Sequence, residues 1–165
     1  MIEISRFQSP IGPLSIIAVK EGVVKISFEN ESLKELTKWC QKNLGMGIVK
    51  GTDFTTEAKS QILNYLSGER KSLNFAVIHF NTQFRKRVLE AERNIPYGQT
   101  RSYWEVAKMI GRPKAIRAVG SANANNPLPL YFPCHRIINS NGTLGGFGWG
   151  LEVKQWLLNL ESKVH

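Results

Sequence analysis

Residues 102–125, Ser-Tyr-Trp-Glu-Val-Ala-Lys-Met-Ile-Gly-Arg-Pro-Lys-Ala-Ile-Arg-Ala-Val-Gly-Ser-Ala-Asn-Ala-Asn, decide the fold. Ser102 stands three residues before Glu105, the spacing of a capping box in which each side chain reaches the other's backbone N–H. Tyr103, Val106, Ala107 and Ile110 follow at helical spacing, and Gly111 stops the pattern. Pro113 suits the first turn of a second helix. That helix is expected to turn Ala115, Ala118, Val119 and Ala122 inward, with Lys114, Arg117, Ser121 and Asn125 along the other side. Two short helices joined by Gly111-Arg112-Pro113 predict a helix-turn-helix. The second helix is rich in small residues, and a glycine inside a helix costs roughly 1 kcal/mol relative to alanine. Close helix packing accounts for the inward alanines. It accounts less well for Gly120, Ser121 and Ala124, which suit a backbone that a groove of DNA approaches closely.

Upstream, Phe84, Val88, Ala91 and Ile95 share one helical face, and Pro96-Tyr97-Gly98 ends that helix. The first 30 residues read as β: Ile2, Ile4 and Phe7, the turn Ser9 to Pro13, Leu14 to Val19, a turn at Glu21-Gly22, and Val23 to Phe28. Ser32 with Glu35 opens a helix on whose apolar stripe Leu33, Leu36 and Cys40 fall, so Cys40 reads as a buried structural thiol. A further helix is expected from about Thr56 to Tyr65, closed by Gly68, followed by an extended run from Leu73 to Phe80. The order predicts an α+β chain of two domains, an N-terminal α/β domain over residues 1–75 and a mostly helical domain over residues 76–165.

Downstream, Pro133-Cys134-His135-Arg136 sets a nucleophile, a base and a cation side by side. Successive side chains of a strand point to opposite faces, so Cys134 and His135 need a bend or a bridging water to act together. Glu161 is a candidate to orient the imidazole, carried by a last helix with Val153, Trp156, Leu157 and Leu160 expected inward. The net charge of +9 is uneven: residues 1–80 hold 10 Lys+Arg against 8 Asp+Glu, and residues 81–165 hold 12 against 5. The second half therefore suits a polyanion, nucleic acid first and an acidic membrane surface second. Two distant cysteines, no secretory signal and no transmembrane run fit a reducing cytosol. There is no spaced Cys/His cluster, and His79 and His165 stand apart from other ligands, so no metal is expected. From the residues alone, a helix-turn-helix regulator and a Cys–His–Glu hydrolase remain open.

Further ordered motifs narrow the choice. Ile95-Pro96-Tyr97-Gly98-Gln99-Thr100, Ser102-Tyr103, Arg117-Ala118-Val119-Gly120, Asn126-Pro127, Pro133 to Ile138, Gly145-Gly146-Phe147 and Lys154 to Glu161 occur in sequence. Together they resemble the O6-alkylguanine-DNA alkyltransferases, and Ser9 to Leu14 resembles the start of that family's N-terminal domain. The resemblance implies a ribonuclease-H-like first domain with an antiparallel sheet and a second domain of winged helix-turn-helix type. It implies direct repair of O6-alkylguanine in double-stranded DNA by a monomer without cofactor, bound through the minor groove with the base flipped out. Cys134 is then the alkyl acceptor, used once. His135 takes its proton through a water, Glu161 orients His135, and Asn126 braces the loop. Tyr103, Phe147, Gly148 and Ile137 fall at substrate positions, and Lys114, Arg117, Ala118, Ser121 and Arg136 at DNA. Arg117 is the finger that fills the vacated stack. A lesion-sensing relative without chemistry lacks the acceptor cysteine, which argues against that reading here. Phe147 replaces a tyrosine common in the family, Leu89 a tryptophan, and Trp149 is expected to narrow or cover the entrance.

Overall fold

Three strands, β1 (Ile2–Phe7), β2 (Leu14–Val19) and β3 (Gly22–Phe28), form an antiparallel meander with Ile4 opposite Ile17 and Leu14 opposite Phe28. The computed structural model describes residues 1–28 and 31–163, and His165 lies outside them. Helix α1 (Leu33–Leu44) starts with both bonds of the Ser32/Glu35 capping box in place. Its Leu36 and Cys40 are buried against Ile2, Ile4, Ile17 and Val24, while Leu33 is exposed. A strand that the sequence did not signal, β4 (Ile48–Lys50), pairs parallel with β1, giving the order β3-β2-β1-β4. The sheet is therefore mixed, not wholly antiparallel. A parallel pair needs a crossover, and α1 lies within the connection that supplies it. Three residues are too few to show an alternating pattern. Helix α2 (Thr56–Leu66) buries Ala58, Ile62, Tyr65 and Leu66. The run after Leu73 is extended but pairs only at Val77, opposite Val23.

The chain divides into two compact units, residues 1–80 and the residues from Asn81 onward. The second unit contains α3 (Gln83–Arg93), β5 (Arg101–Ser102), α4 (Tyr103–Met109), α5 (Ile116–Ala124), a tight 3-10 turn at Cys134–Arg136, β6 (Ile137–Ile138) and α6 (Leu151–Ser162). Its core joins Val88, Ala91 and Ile95 to Val106, Ala107 and Ile110, to Val119 and Ala122, and to Ile137. β5 and β6 pair in parallel, Arg101 opposite Ile137, which ties the start of α4 to the exit of the Cys134 turn. Among the described residues, no helix is long and apolar enough to cross a membrane.

Two expectations shift in detail. Helix α5 begins at Ile116 with Ala115 as its cap, so Pro113 lies in the preceding turn. Its buried stripe is Val119, Ala122 and Asn123, and Ala118 is exposed beside Arg117. The buried stripe of α6 is Lys154, Leu157 and Glu161, while Val153, Trp156 and Leu160 are half-buried.

The Ser102/Glu105 capping box sets where α4 starts, with bonds of 3.0 Å in both directions. Replacing Ser102 by alanine should lower unfolding stability by about 1 kcal/mol. For a chain of this size the melting temperature should fall by about 2–4 °C. An unchanged melting curve would show that the box contributes nothing.

Candidate active site

The turn after Pro133 resolves the problem of adjacent side chains. The Cys134 N–H donates to the Phe132 carbonyl at 2.7 Å and the Arg136 N–H to the Pro133 carbonyl at 2.9 Å, so the chain bends at Cys134. Asn126 holds the approach to this turn. Its Nδ2 donates to the Phe132 carbonyl at 3.0 Å, and its Oδ1 accepts from the Leu128 N–H at 2.9 Å. Cys134 is a free thiol, 4% exposed. Burial pushes its pKa up to about 12, and a negative charge on Glu92, when that group is ionised, acts in the same direction. Hydrogen bonding from Asn126 and the charge of Lys154 oppose both. The resting group is the thiol.

His135 is wholly buried, and its Nε2 lies 2.7 Å from Oε2 of Glu161. Against a carboxylate Nε2 must carry the proton, which makes Nδ1 the basic nitrogen. Burial, more than any other cause, lowers the imidazole pKa, so the ring is neutral near pH 7. Glu161 accepts three further bonds: Arg136 Nε at 2.8 Å, an Arg136 terminal nitrogen at 2.9 Å, and the Gly98 N–H at 3.2 Å. Burial would raise its pKa, but the bonds from His135 and Arg136 outweigh burial and hold it below the usual carboxylate range.

Arg136 corrects an expectation. It was expected at DNA, yet it is 7% exposed, and its third nitrogen donates to the Ile95 carbonyl at 2.7 Å. A guanidinium with its donors engaged inside the protein is an internal brace. Ile137 also differs from a pocket wall: its side chain is wholly buried in the helical core, and its carbonyl accepts from Lys154 at 2.6 Å. Lys154 was not singled out from the sequence. Its ammonium also donates to the carbonyls of Leu144 and, at 3.1 Å, Gly146, so its three protons hold the glycine-rich loop to β6.

That loop faces α5 across a cleft of about 280 Å³ lined by Tyr103, Gly120, Asn123, Ala124, Gly146, Phe147 and Gly148. Gly145 takes a positive φ of 72°, and a Cβ there would come within 3.2 Å of the Tyr103 ring and hydroxyl. Tyr103 is raised in pKa chiefly by burial; hydrogen bonding from Asn123 and from the Gly146 backbone works the other way. The Trp149 ring packs edge-on against Phe147, centroids 6.1 Å apart, and is not itself among the residues lining the cleft. Lys114, Arg117, Ala118 and Ser121 are exposed and lie outside the cleft, but α5 carries Arg117, Ala118 and Ser121 together with the lining residues Gly120 and Ala124. A Cβ on Gly120 would meet only Tyr103, at an ordinary 4.0 Å. Among the described residues no close contact requires that glycine.

Residues 4–78 match the family description "6-O-methylguanine DNA methyltransferase, ribonuclease-like domain", and residues 83–163 match its DNA binding domain. The chain belongs to the 6-O-methylguanine DNA methyltransferase family. It is 41% identical to a methylated-DNA–protein-cysteine methyltransferase of Methanosarcina acetivorans, over 94% of this chain and 95% of that protein. It is 37% identical to the constitutive Bacillus subtilis protein of the same name, over 93% and 92%. The crystal structure of Mycobacterium tuberculosis OGT in complex with DNA superimposes with a TM-score of 0.84 at 34% identity, covering 97% of this chain and 92% of that one. The resemblance carried by the motifs thus extends over both units, and the α+β architecture is that of the family.

The Glu161 cluster sets the acid limit of stability. The folded pKa of Glu161 is lowered from 4.5, so its contribution is full above that pH and is lost below it. The folded pKa of His135 is lowered from 6.5, so its contribution begins to fall as pH drops through 6.5. Glu161→Gln leaves Arg136 without its counter-charge and should cost about 3–5 kcal/mol at pH 7. It should also flatten the fall of the urea midpoint below pH 4.5; an equally steep fall would remove Glu161 as its cause.

Proposed function

We infer that the protein repairs DNA directly, moving the alkyl group of an O6-alkylguanine in double-stranded DNA irreversibly onto Sγ of its own Cys134. The observation that carries the reading is a buried thiol, Cys134, within charge range of Tyr103, which itself lines a cleft walled by the same helix that displays Arg117 and Ser121. The names of the relatives and the DNA bound to the Mycobacterium tuberculosis protein support it. So does the basic second half.

The reaction is a displacement at the alkyl carbon. The Cys134 proton leaves for Nδ1 of neutral His135, directly or through a water, and Glu161 stabilises the imidazolium. The thiolate forms the S–C bond as the C–O6 bond breaks, and the electron pair leaves with the guanine. Tyr103 donates to the developing anion, and the proton first removed from sulfur makes up the balance on the base. The thioether has no leaving group to restore the thiol, so each molecule acts once. No cofactor enters, and the protein works as a monomer on DNA in the reducing cytosol. The base must leave the stack to reach a buried sulfur, at a few kcal/mol. Arg117, entering from the minor groove, offsets part of that.

After mixing with excess duplex carrying one O6-methylguanine, mass spectrometry should find one added methyl, on Cys134 alone, and none in Cys134→Ser. Unmodified protein that still binds the duplex overturns the reading. Arg117→Ala should slow duplex repair by about tenfold, equivalent to about 1.4 kcal/mol, while reaction with free O6-benzylguanine is unchanged. Equal losses on both substrates would exclude the finger. Gly120→Ala should stabilise the folded protein by up to about 1 kcal/mol yet weaken duplex binding. Unchanged binding would mean that DNA does not approach this backbone.

A further inference from the structure

The core face of α3 is apolar at Val88 and Ala91 and is continued past the helix end by Ile95, but Glu92 lies on it, wholly buried. Neither of its carboxyl oxygens has a hydrogen-bond partner among the described residues. Glu161, equally buried, has four donors. An ionised carboxylate in an apolar interior without donors is so unfavourable that it takes up a proton instead. Glu92 is therefore a neutral acid, its pKa raised well above 4.5 by burial.

Helix α3 packs against α4, α5 and the Cys134 turn. Tyr103 of α4 and Cys134 of the turn lie within charge range of Glu92, and a negative charge on Glu92 opposes the ionisation of both. The other charged groups of the region are engaged elsewhere. His135 and Arg136 bind Glu161, Lys154 binds three carbonyls, and Arg93, next to Glu92, donates to the Tyr131 carbonyl. Arg117 of α5 is exposed.

We propose that Glu92 is a positioning residue for Cys134: kept neutral, it leaves the sulfur as the site's single negative charge not matched by a cation, and once ionised it suppresses the thiolate. This rests on Cys134 being the acceptor. Both groups titrate in one low-dielectric region, so the proton that leaves first hinders the second. Below the pH at which Glu92 ionises, alkylation of Cys134 follows the thiolate fraction and rises tenfold per pH unit. Above it, the rise flattens.

The test compares wild type, Glu92→Gln and Glu92→Leu, the last an apolar replacement that leaves no buried polar atom unmatched. Alkylation of Cys134 by iodoacetamide is followed across pH by peptide mass spectrometry, which separates it from Cys40. Benzyl transfer from O6-benzylguanine is followed in parallel. The three profiles should coincide at low pH and diverge at high pH, both variants becoming about tenfold faster than wild type. The carboxyl carbon of Glu92, observed by carbon-13 NMR in wild type, should titrate at the pH of divergence. Iodoacetamide profiles that coincide throughout overturn the proposal, as does a Glu92 carboxyl already ionised at pH 7. Divergence with iodoacetamide but no benzyl transfer by any of the three supports the role of Glu92 and counts against the alkyl-transfer reading instead.

Discussion

The carboxylate of Glu161 is the point on which the second unit converges. Its donors come from the Gly98 turn after α3 and from His135 and Arg136, and Arg136 passes on to the Ile95 carbonyl near the end of α3. One side chain near the end of α6 therefore fixes α6, the residues after α3 and the Cys134 turn against one another. Burying a carboxylate and a guanidinium is expensive, and their attraction repays that only when the remaining lone pairs and protons are also satisfied. Here four donors meet the two oxygens. The arrangement is less a source of net stability than a device that permits one geometry, because any displacement strands a charge in the core.

That geometry explains how a thiol as unwilling to ionise as Cys134 remains serviceable. A surface cysteine is easily ionised, and easily oxidised or alkylated by any electrophile. A buried one is protected, and its proton leaves only when a base stands ready. The Glu161 anchor keeps Nε2 of His135 protonated and Nδ1 basic, while Lys154 adds positive charge within range of the sulfur. The same Lys154 pins the loop that forms one wall of the cleft, so the charge near Cys134 and the shape of the cleft are set by one residue.

Signals that depend on local spacing were legible in the sequence. Both capping boxes and the two-helix motif appear where the residues placed them, and Glu161, only a candidate from the sequence, lies 2.7 Å from His135. Features made by long-range partners were not. Arg136 looks like any basic residue beside a DNA-binding segment, and only the fold turns it inward to Ile95, 41 positions away. Lys154 sits three and seven residues before Leu157 and Glu161, so the stripe existed, but a lysine on an apolar face reads as solvated until three carbonyls converge on it. Glu92 carried the plainest unused signal, an acid four residues after Val88 and three before Ile95 on one core face. Strand β4 carried almost none, since its pairing depends on where α1 returns the chain.

The two buried glutamates show why burial alone says little about charge. Glu161 and Glu92 differ by at most 2% in exposure, yet one is ionised and the other neutral. The difference lies in the donors each backbone environment supplies. The turn at Gly98 and the two residues after Cys134 deliver N–H groups to Glu161, whereas no donor among the described residues reaches Glu92. The proposed reaction would build negative charge first on sulfur and then on a departing base, which requires positive or donor groups around it and no competing anion. The site meets that requirement with Glu161 as an anion already matched by Arg136, and Glu92 as an acid that keeps its proton.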